Sequence, residues 1–293
     1  MEEDLGVDDI ITKFLLNTTR LRPRITHHSV QAAVYCGIMA TRHPTDDEEA
    51  VLIPLTTGSV AEFYVEPMHK CFVNIDLMYH RNTNLAIPRG HLPPTRLPDE
   101  FQNYVKVHEI SNSHFMGYVC LELPYSLTQC SDADTYNAVE YDKGICLANQ
   151  MFSSTDSITG LFTTSLHGPA QHVSREIMIS VDSVPCIRCL VWPPGAADWP
   201  TRHKNYEWPD SATVEHVSNG CDVVGVAHRQ CKHDGWRTKQ QWRLSFSRAE
   251  IVLINSWMPL QQIVYHLLRV FVTESVDNSG SWKLSNFLFS MSH

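Results

Sequence analysis

Apolar and polar residues alternate with strand-like periodicity through the middle of the chain. This alternation, together with β-branched content, predicts strands at 50–55, 71–79, 105–110, 118–123 and 176–191. Helical spacing of apolar residues instead predicts helical structure within 1–24 and helices at 25–42, 242–257 and 260–273. The Pro, Asn and Arg content of 82–100 predicts a loop, and the mixed polar pattern of 127–152 predicts irregular or helical structure. The Ser, Thr and Gly content of 153–174 predicts a mobile connector. The pattern therefore predicts a mixed α and β protein.

Charge and targeting signals narrow the class of protein. A net charge of −9 argues against a large surface for duplex nucleic acid. A local basic patch from Arg20, Arg22, Arg24, His27 and His28 is the alternative, although solvated charge is the favoured interpretation of these residues. The acidic N-terminus lacks the pattern of a signal peptide, and no apolar run is long enough to span a bilayer. We therefore expect a cytoplasmic protein without membrane contact.

Two polar residues interrupt an apolar run shortly after a glycine-serine turn. Asn74 and Asp76 are two positions apart, so in a strand their side chains point to the same face. Upstream, Gly58 and Ser59 offer backbone amides and a hydroxyl, which are groups that hold phosphate. This arrangement is typical of the opening of a nucleotidyltransferase fold.

Asp182 lies in a second apolar run, Ile177-Met-Ile-Ser-Val-Asp-Ser-Val-Pro185. A carboxylate in such a run is costly unless it is paired or binds a cation. Two adjacent strands would bring Asp76 and Asp182 together, and close oxygen ligands suit Mg²⁺ or Mn²⁺. For either aspartate alone we favour a buried, paired residue without a metal. The two together, downstream of the glycine-serine turn, favour a metal cleft.

Several sequence strings together resemble the male-abnormal-21 family, which includes cyclic GMP-AMP synthase and the animal cGAS-like receptors. They are Gly58-Ser-Val-Ala-Glu62, Asn74-Ile-Asp-Leu-Met78, Ser180-Val-Asp-Ser-Val-Pro185, Trp192-Pro-Pro194 and Trp242-Arg-Leu-Ser-Phe-Ser247 with Ala249-Glu250. The last string is the most specific of them, whereas Gly-Ser alone is a weak signal. The resemblance runs from about Val51 to about Phe287 in the family's order.

The resemblance implies an α/β (α+β) fold with two lobes: a nucleotidyltransferase lobe with a mixed sheet and a helical second lobe. We accordingly assign residues 1–240 to the nucleotidyltransferase core with N-terminal helices and residues 241–293 to the start of the helical lobe. The activity it implies is metal-dependent synthesis of a (cyclic) dinucleotide from ATP and GTP in innate immune sensing. Members often act after sensing double-stranded nucleic acid, which makes such a duplex a candidate activator despite the acidic chain.

Site residues follow from the resemblance position by position. Gly58 and Ser59 would hold the triphosphate, and Asn74, Asp76 and Asp182 occupy the three metal-carboxylate positions, with Mg²⁺ or Mn²⁺ as the cofactor. Further along the chain, three residues fall near the family's nucleotide contacts. Arg269 falls near a phosphate-binding lysine of the second lobe, and Ser285 and Phe287 fall where a Ser-Ser-Tyr segment holds phosphate and stacks a base.

Departures from the family pattern leave the activity open. Asn74 supplies a neutral carbonyl where an acid is usual, and Phe287 lacks the aromatic hydroxyl. The sequence stops at His293, so the helices that normally complete the second lobe are expected to be missing. The alternative is a catalytically inactive member that serves as a nucleotide-binding or protein-interaction module.

A histidine- and cysteine-rich segment raises the question of zinc. His228, Cys231 and His233 lie within six residues, with Cys221 just upstream, and such spacing can form a zinc site. The family's zinc insert, however, follows the Trp242–Ser247 string, where Leu253–Trp257 leaves no room for it. We favour an ordinary polar loop and expect no zinc.

Overall fold

The structure is a computed structural model, and it describes only part of the chain. The described residues are 52–58, 61, 73–130, 135–149, 163–167, 169–174, 179–202, 208–231, 239–258, 261, 264 and 265. The helical structure predicted within 1–24 and the helix predicted at 25–42 lie outside the described residues, as does most of the helix predicted at 260–273.

Ten strands and two α-helices make up the described fold. The strands are β1 (Leu52–Thr57), β2 (Val73–Pro88), β3 (Tyr104–Asn112), β4 (Tyr118–Gln129), β5 (Tyr136–Cys146), β6 (Thr163–His167), β7 (Ala170–Ser174), β8 (Ile179–Cys189), β9 (Cys221–Val224) and β10 (Gln241–Ser245). The helices are α1 (Ser211–Val217) and α2 (Ser247–Asn255), and short 3₁₀ turns lie at Pro194–Ala196, Trp199–Thr201 and Arg229–Cys231.

Strand pairing joins all ten strands into one mixed sheet. Six of them form a closed ring in the order β2, β3, β4, β10, β9, β8, because β8 also pairs with β2. β2 runs parallel to both β3 and β8, whereas the other pairings are antiparallel. β1 extends the sheet from β2, β7 and then β6 extend it from β8, and β5 pairs with β4. This mixed sheet with few helices confirms the predicted α+β class.

A hydrophobic core fills the ring and is built by all six of its strands. Its buried members are Ala86, Ile110, Val119, Leu121, Ile187, Cys189, Cys221, Val223 and Trp242. Trp242 is fully buried, and its indole Nε1 donates a hydrogen bond to the Leu147 carbonyl at 3.2 Å. Small residues such as Ala86 and Cys221 leave room for this large side chain, as dense packing requires.

The Trp242-Arg-Leu-Ser-Phe-Ser string proves to be a strand followed directly by a helix. Its first four residues lie in β10, and α2 begins at Ser247. One residue further, Arg248 binds the fully buried carboxylate of Asp222 on β9, with Nε 2.8 Å from Oδ2. The string therefore joins the ring interior, through Trp242, to the helix that packs on the outside of β9 and β1.

Several sequence-based element assignments were wrong. Residues 242–245 form a strand rather than the start of a helix, and part of the predicted loop 82–100 continues β2 to Pro88. The segments 127–152 and 153–174 contain β5 and the β6–β7 pair. In each case pairing with a neighbouring strand outweighs the local composition. β10, the first element of 241–293, pairs inside the sheet with β4 and β9; the two-domain division itself stays a prediction.

No helix within the described ranges is both long and apolar enough to cross a membrane.

Two glycines with positive φ provide a matched test of the packing at the start of β9. Gly220 (φ +97°) is buried, and a Cβ there would overlap the Cys189 carbonyl, whereas a Cβ at Gly90 (φ +85°) would meet no atom within 4 Å. Both alanine variants strain the backbone by about 1 kcal/mol. We expect Gly220→Ala to lose a further 1–3 kcal/mol, roughly, because the backbone must shift to relieve the overlap. Urea unfolding of both variants measures the difference, and equal losses would contradict this packing.

A buried histidine on β3 makes stability depend on pH. His108 is 2% exposed, and its Nε2 hydrogen-bonds Asn84 Oδ1 at 3.0 Å. Its Nδ1 has no hydrogen-bond partner within the part of the chain that is described. Burial, and secondarily the charge of Lys106, lowers the pKa of His108 to about 4 from an ordinary value of 6.5.

Since the folded pKa is depressed, the unfolded chain binds the proton first as the pH falls. The stability that His108 contributes is complete above about pH 6.5 and is lost as the pH falls towards 4. Between pH 7 and pH 5 we expect this residue to lower the free energy of unfolding by about 2 kcal/mol. His108→Gln should be less stable at pH 7 but should flatten this dependence, whereas replacement of the exposed His114 should not. An unchanged slope in His108→Gln would refute the assignment.

Candidate metal and nucleotide site

Parallel pairing of β2 with β8 places two carboxylates side by side. Asp76 of β2 is the register partner of Asp182 of β8. In parallel strands, register partners project from the same face, and adjacent strands lie about 4.8 Å apart. Both aspartates are partly exposed, and the Asp182 side chain retains 26% of its accessible surface. The strands therefore bring the two sequence-predicted acids to one solvent-accessible point.

Gly58 lies against the first of these carboxylates. β1 is antiparallel to β2, with Thr57 opposite Asp76, and the Thr57 hydroxyl donates a hydrogen bond to the Asp76 carbonyl at 3.3 Å. The next residue, Gly58, has φ +66°, and a Cβ there would overlap Asp76 Oδ2. Glycine is thus required both by the turn and by the close approach of the carboxylate.

His172 contacts the second carboxylate, and sequence reasoning missed it. It lies on β7 opposite Asp182, with His172 Nδ1 2.6 Å from Asp182 Oδ1. Because an ionised carboxylate only accepts, Nδ1 carries the hydrogen in this contact. The sequence signal that could have found it is the Gly168-Pro169 pair, which marks a turn between two short strands. That signal was outweighed by the Ser, Thr and Gly content of the segment.

Of the other predicted site residues, the structure describes Asn74 but not the remaining four. Asn74 lies in β2, and its backbone pairs with Ser180, two positions before the aspartates. Ser59, Arg269, Ser285 and Phe287 all lie outside the described residues. Their roles stay predictions.

Chemically, the arrangement can hold a divalent cation shared with a substrate. Two carboxylates on adjacent strands supply hard oxygen ligands, which Mg²⁺ and Mn²⁺ prefer. Asp76, His172 and Asp182 do not by themselves form a tight three-ligand cluster; in the described ranges that description fits His80, Cys186 and Asp222. A cation between Asp76 and Asp182 would therefore take further ligands from water and from phosphate oxygens, as Mg²⁺ usually does.

The segment considered for zinc is used for packing where it can be described. The His228 ring stacks on Phe115 at a centroid distance of 4.0 Å and meets Tyr118 edge-on at 5.1 Å. Cys231 is buried in a 3₁₀ turn, and His233 lies outside the described residues.

A protein-family model matches part of the chain. Residues 162–256 match the family model described as Mab-21 protein nucleotidyltransferase domain. The matched segment runs from β6 to α2, and it includes Asp182 and the Trp242–Ser247 string. It confirms the resemblance stated from the sequence.

The contact between Gly58 and Asp76 predicts a specific loss of cation binding. Gly58→Ala must turn the Asp76 carboxylate away, and we expect Mn²⁺ affinity to fall by about tenfold or more. Gly117→Ala is the matched control, because Gly117 also has positive φ (+76°) but faces open space. Titration of Mn²⁺ by paramagnetic resonance compares the two variants. Equal Mn²⁺ affinity in Gly58→Ala and wild type would show that Asp76 is not a ligand.

Proposed function

We propose that this protein transfers nucleotidyl groups between nucleoside triphosphates, using divalent cations held by Asp76 and Asp182. Residues 162–256 match the Mab-21 nucleotidyltransferase domain, which supports this class of reaction. The observation that carries the proposal is the register pairing of these aspartates on parallel strands, with Gly58 against one of them. Metal ions bound there would neutralise charge on the triphosphate and favour ionisation of the attacking hydroxyl.

Other residues of the chain would bind the triphosphate and orient the metal ligands. The backbone at Gly58 carries no side chain that would block a phosphate, and Ser59 follows with an amide and a hydroxyl, so this turn is suited to the triphosphate. His172 holds one oxygen of Asp182 through its 2.6 Å contact and so fixes the direction of the carboxylate. Asn74 would add a neutral oxygen from the same strand.

The proposed substrates are ATP and GTP, and the proposed product is a (cyclic) dinucleotide used in innate immune signalling in the cytoplasm. These finer statements are supported by the family resemblance. A double-stranded nucleic acid is the proposed activator. The net charge of −9 requires that any such duplex bind through a local basic patch rather than a broad surface.

A second candidate function is favoured by Asn74. Replacing a carboxylate by an amide removes one formal charge from a cation site whose binding depends on ligand charge. The protein would then bind nucleotide, or another protein, without turning over substrate. Mn²⁺ is a softer and less demanding ion than Mg²⁺ and should tolerate the neutral amide of Asn74 better. If the chain is active, Mn²⁺ should therefore support its activity better than Mg²⁺.

The test is incubation of the full chain with four labelled nucleoside triphosphates and either Mn²⁺ or Mg²⁺, with and without duplex RNA or DNA. We expect product with Mn²⁺, and we expect Asp182→Asn to reduce it by at least about a hundredfold, the scale of losing one charge stabiliser. Asp198→Asn is the control, because Asp198 is exposed and pairs only locally with Arg202 in the described structure. We also expect Asn74→Asp to raise the rate with Mg²⁺.

Two outcomes separate the candidate functions. Product that appears only in Asn74→Asp would establish the wild-type chain as an inactive member. Product from Asp182→Asn at the wild-type rate would show that the metal site has been placed wrongly.

A further inference from the structure

A second group of metal-ligating side chains lies on the same two strands, farther from the aspartates. His80 and Cys186 are register partners in β2 and β8, four residues beyond Asp76 and Asp182. Side chains alternate along a strand, so His80 and Cys186 share the face of the aspartates, at a distance of roughly 13 Å along the strands. The rung between them is Met78 with Val184, which is apolar.

Asp222 of β9 completes the group. One ligand atom from each of His80, Cys186 and Asp222 lies within 4.8 Å of the other two, and all three residues are buried. Cys186 Sγ is 3.8 Å from Asp222 Oδ1. Ligand atoms in a tetrahedral zinc site lie about 3.5 Å apart, so the sulfur and the carboxylate oxygen are nearly at the required spacing already.

His80 is the independent sign that a ligand belongs here. Its side chain is 1% exposed, and neither ring nitrogen has a hydrogen-bond partner among the residues described. A buried imidazole nearly always satisfies at least one nitrogen. The Asp222 carboxylate, by contrast, is held by Arg248 through Oδ2, which leaves Oδ1 towards the cluster. An outer partner that orients a ligand in this way is a common feature of metal sites.

We propose that His80, Cys186 and Asp222 bind one Zn²⁺ ion that ties β2, β8 and β9 together. Nitrogen, thiolate sulfur and carboxylate oxygen are the donor set of protein zinc sites, and water takes the fourth position. The Cys186 thiol gives up its proton to solvent when the zinc–sulfur bond forms. The expectation of no zinc rested on the His228 segment and did not consider this cluster.

The spacing Cys186-Ile-Arg-Cys189 supplies an internal control. In a strand, residues three apart lie on opposite faces, so Cys189 points into the ring core, where it is buried among apolar residues. It is as inaccessible as Cys186 but belongs to no metal-ligand group in the described structure.

Cobalt(II) tests the proposal, because a thiolate ligand gives Co²⁺ a charge-transfer absorption that oxygen ligands do not. When the metal-free full-length chain is titrated with Co²⁺, this band should appear and saturate at about one ion per chain, and Zn²⁺ should abolish it. Binding at Asp76 and Asp182 would give no such band, so the result is independent of the proposed activity. Cys186→Ser should abolish the band, and Cys189→Ser should retain it.

A measurement on the wild-type chain covers the case in which Cys186→Ser does not fold. Alkylation followed by mass spectrometry in mild denaturant should show Cys186 protected by Zn²⁺ at least tenfold more than without it, roughly, with a smaller change at Cys189. A wild-type chain with no thiolate band, a band that survives in Cys186→Ser, or equal protection of both cysteines would each overturn the proposal.

Discussion

The parallel register between β2 and β8 is the constraint on which the rest of the structure depends. It closes the ring of six strands, and it sets three rungs on one face: Asp76 with Asp182, Met78 with Val184, and His80 with Cys186. A slip of β2 by one residue would turn its side chains to the other face and bury the Asp76 carboxylate in the apolar core. The register therefore couples packing to chemistry, because the pairing that fills the core also brings the acids together.

Buried charge on the outside of β9 holds the helix that covers this region. Asp222 is fully buried, and its partner Arg248 stands one residue inside α2. Removing either partner would leave an uncompensated charge in a low-dielectric site, which is strongly unfavourable. Arg188 on β8 is the register partner of Asp222, but its guanidinium finds other hydrogen-bond partners. It donates to the backbone carbonyls of Cys189, Cys221 and Asn219. The ion pair between Arg248 and Asp222 thus makes one buried polar contact between α2 and the sheet.

The sequence predicted the acids better than it predicted their surroundings. Asp76 and Asp182 stand out because a carboxylate in an apolar strand is costly, and this signal is local. His172 and β6–β7 were missed because their strand character comes from the pairing of β6 with β7 and of β7 with β8 rather than from composition. The Trp242–Ser245 strand was mistaken for a helix because its two ladders, to β4 and β9, join residues distant in the sequence. The cluster of His80, Cys186 and Asp222 depends likewise on three strands meeting, which no spacing along one segment reveals.

The central claim is that Asp76 and Asp182 hold a divalent cation together. Crystals of the full chain grown with Mn²⁺ and a non-hydrolysable nucleoside triphosphate test it most directly, through the anomalous signal of manganese. The account predicts a peak within coordination distance, about 2.2 Å, of a carboxylate oxygen from each aspartate and of a phosphate oxygen. A bound triphosphate without a manganese peak between the two aspartates would contradict it.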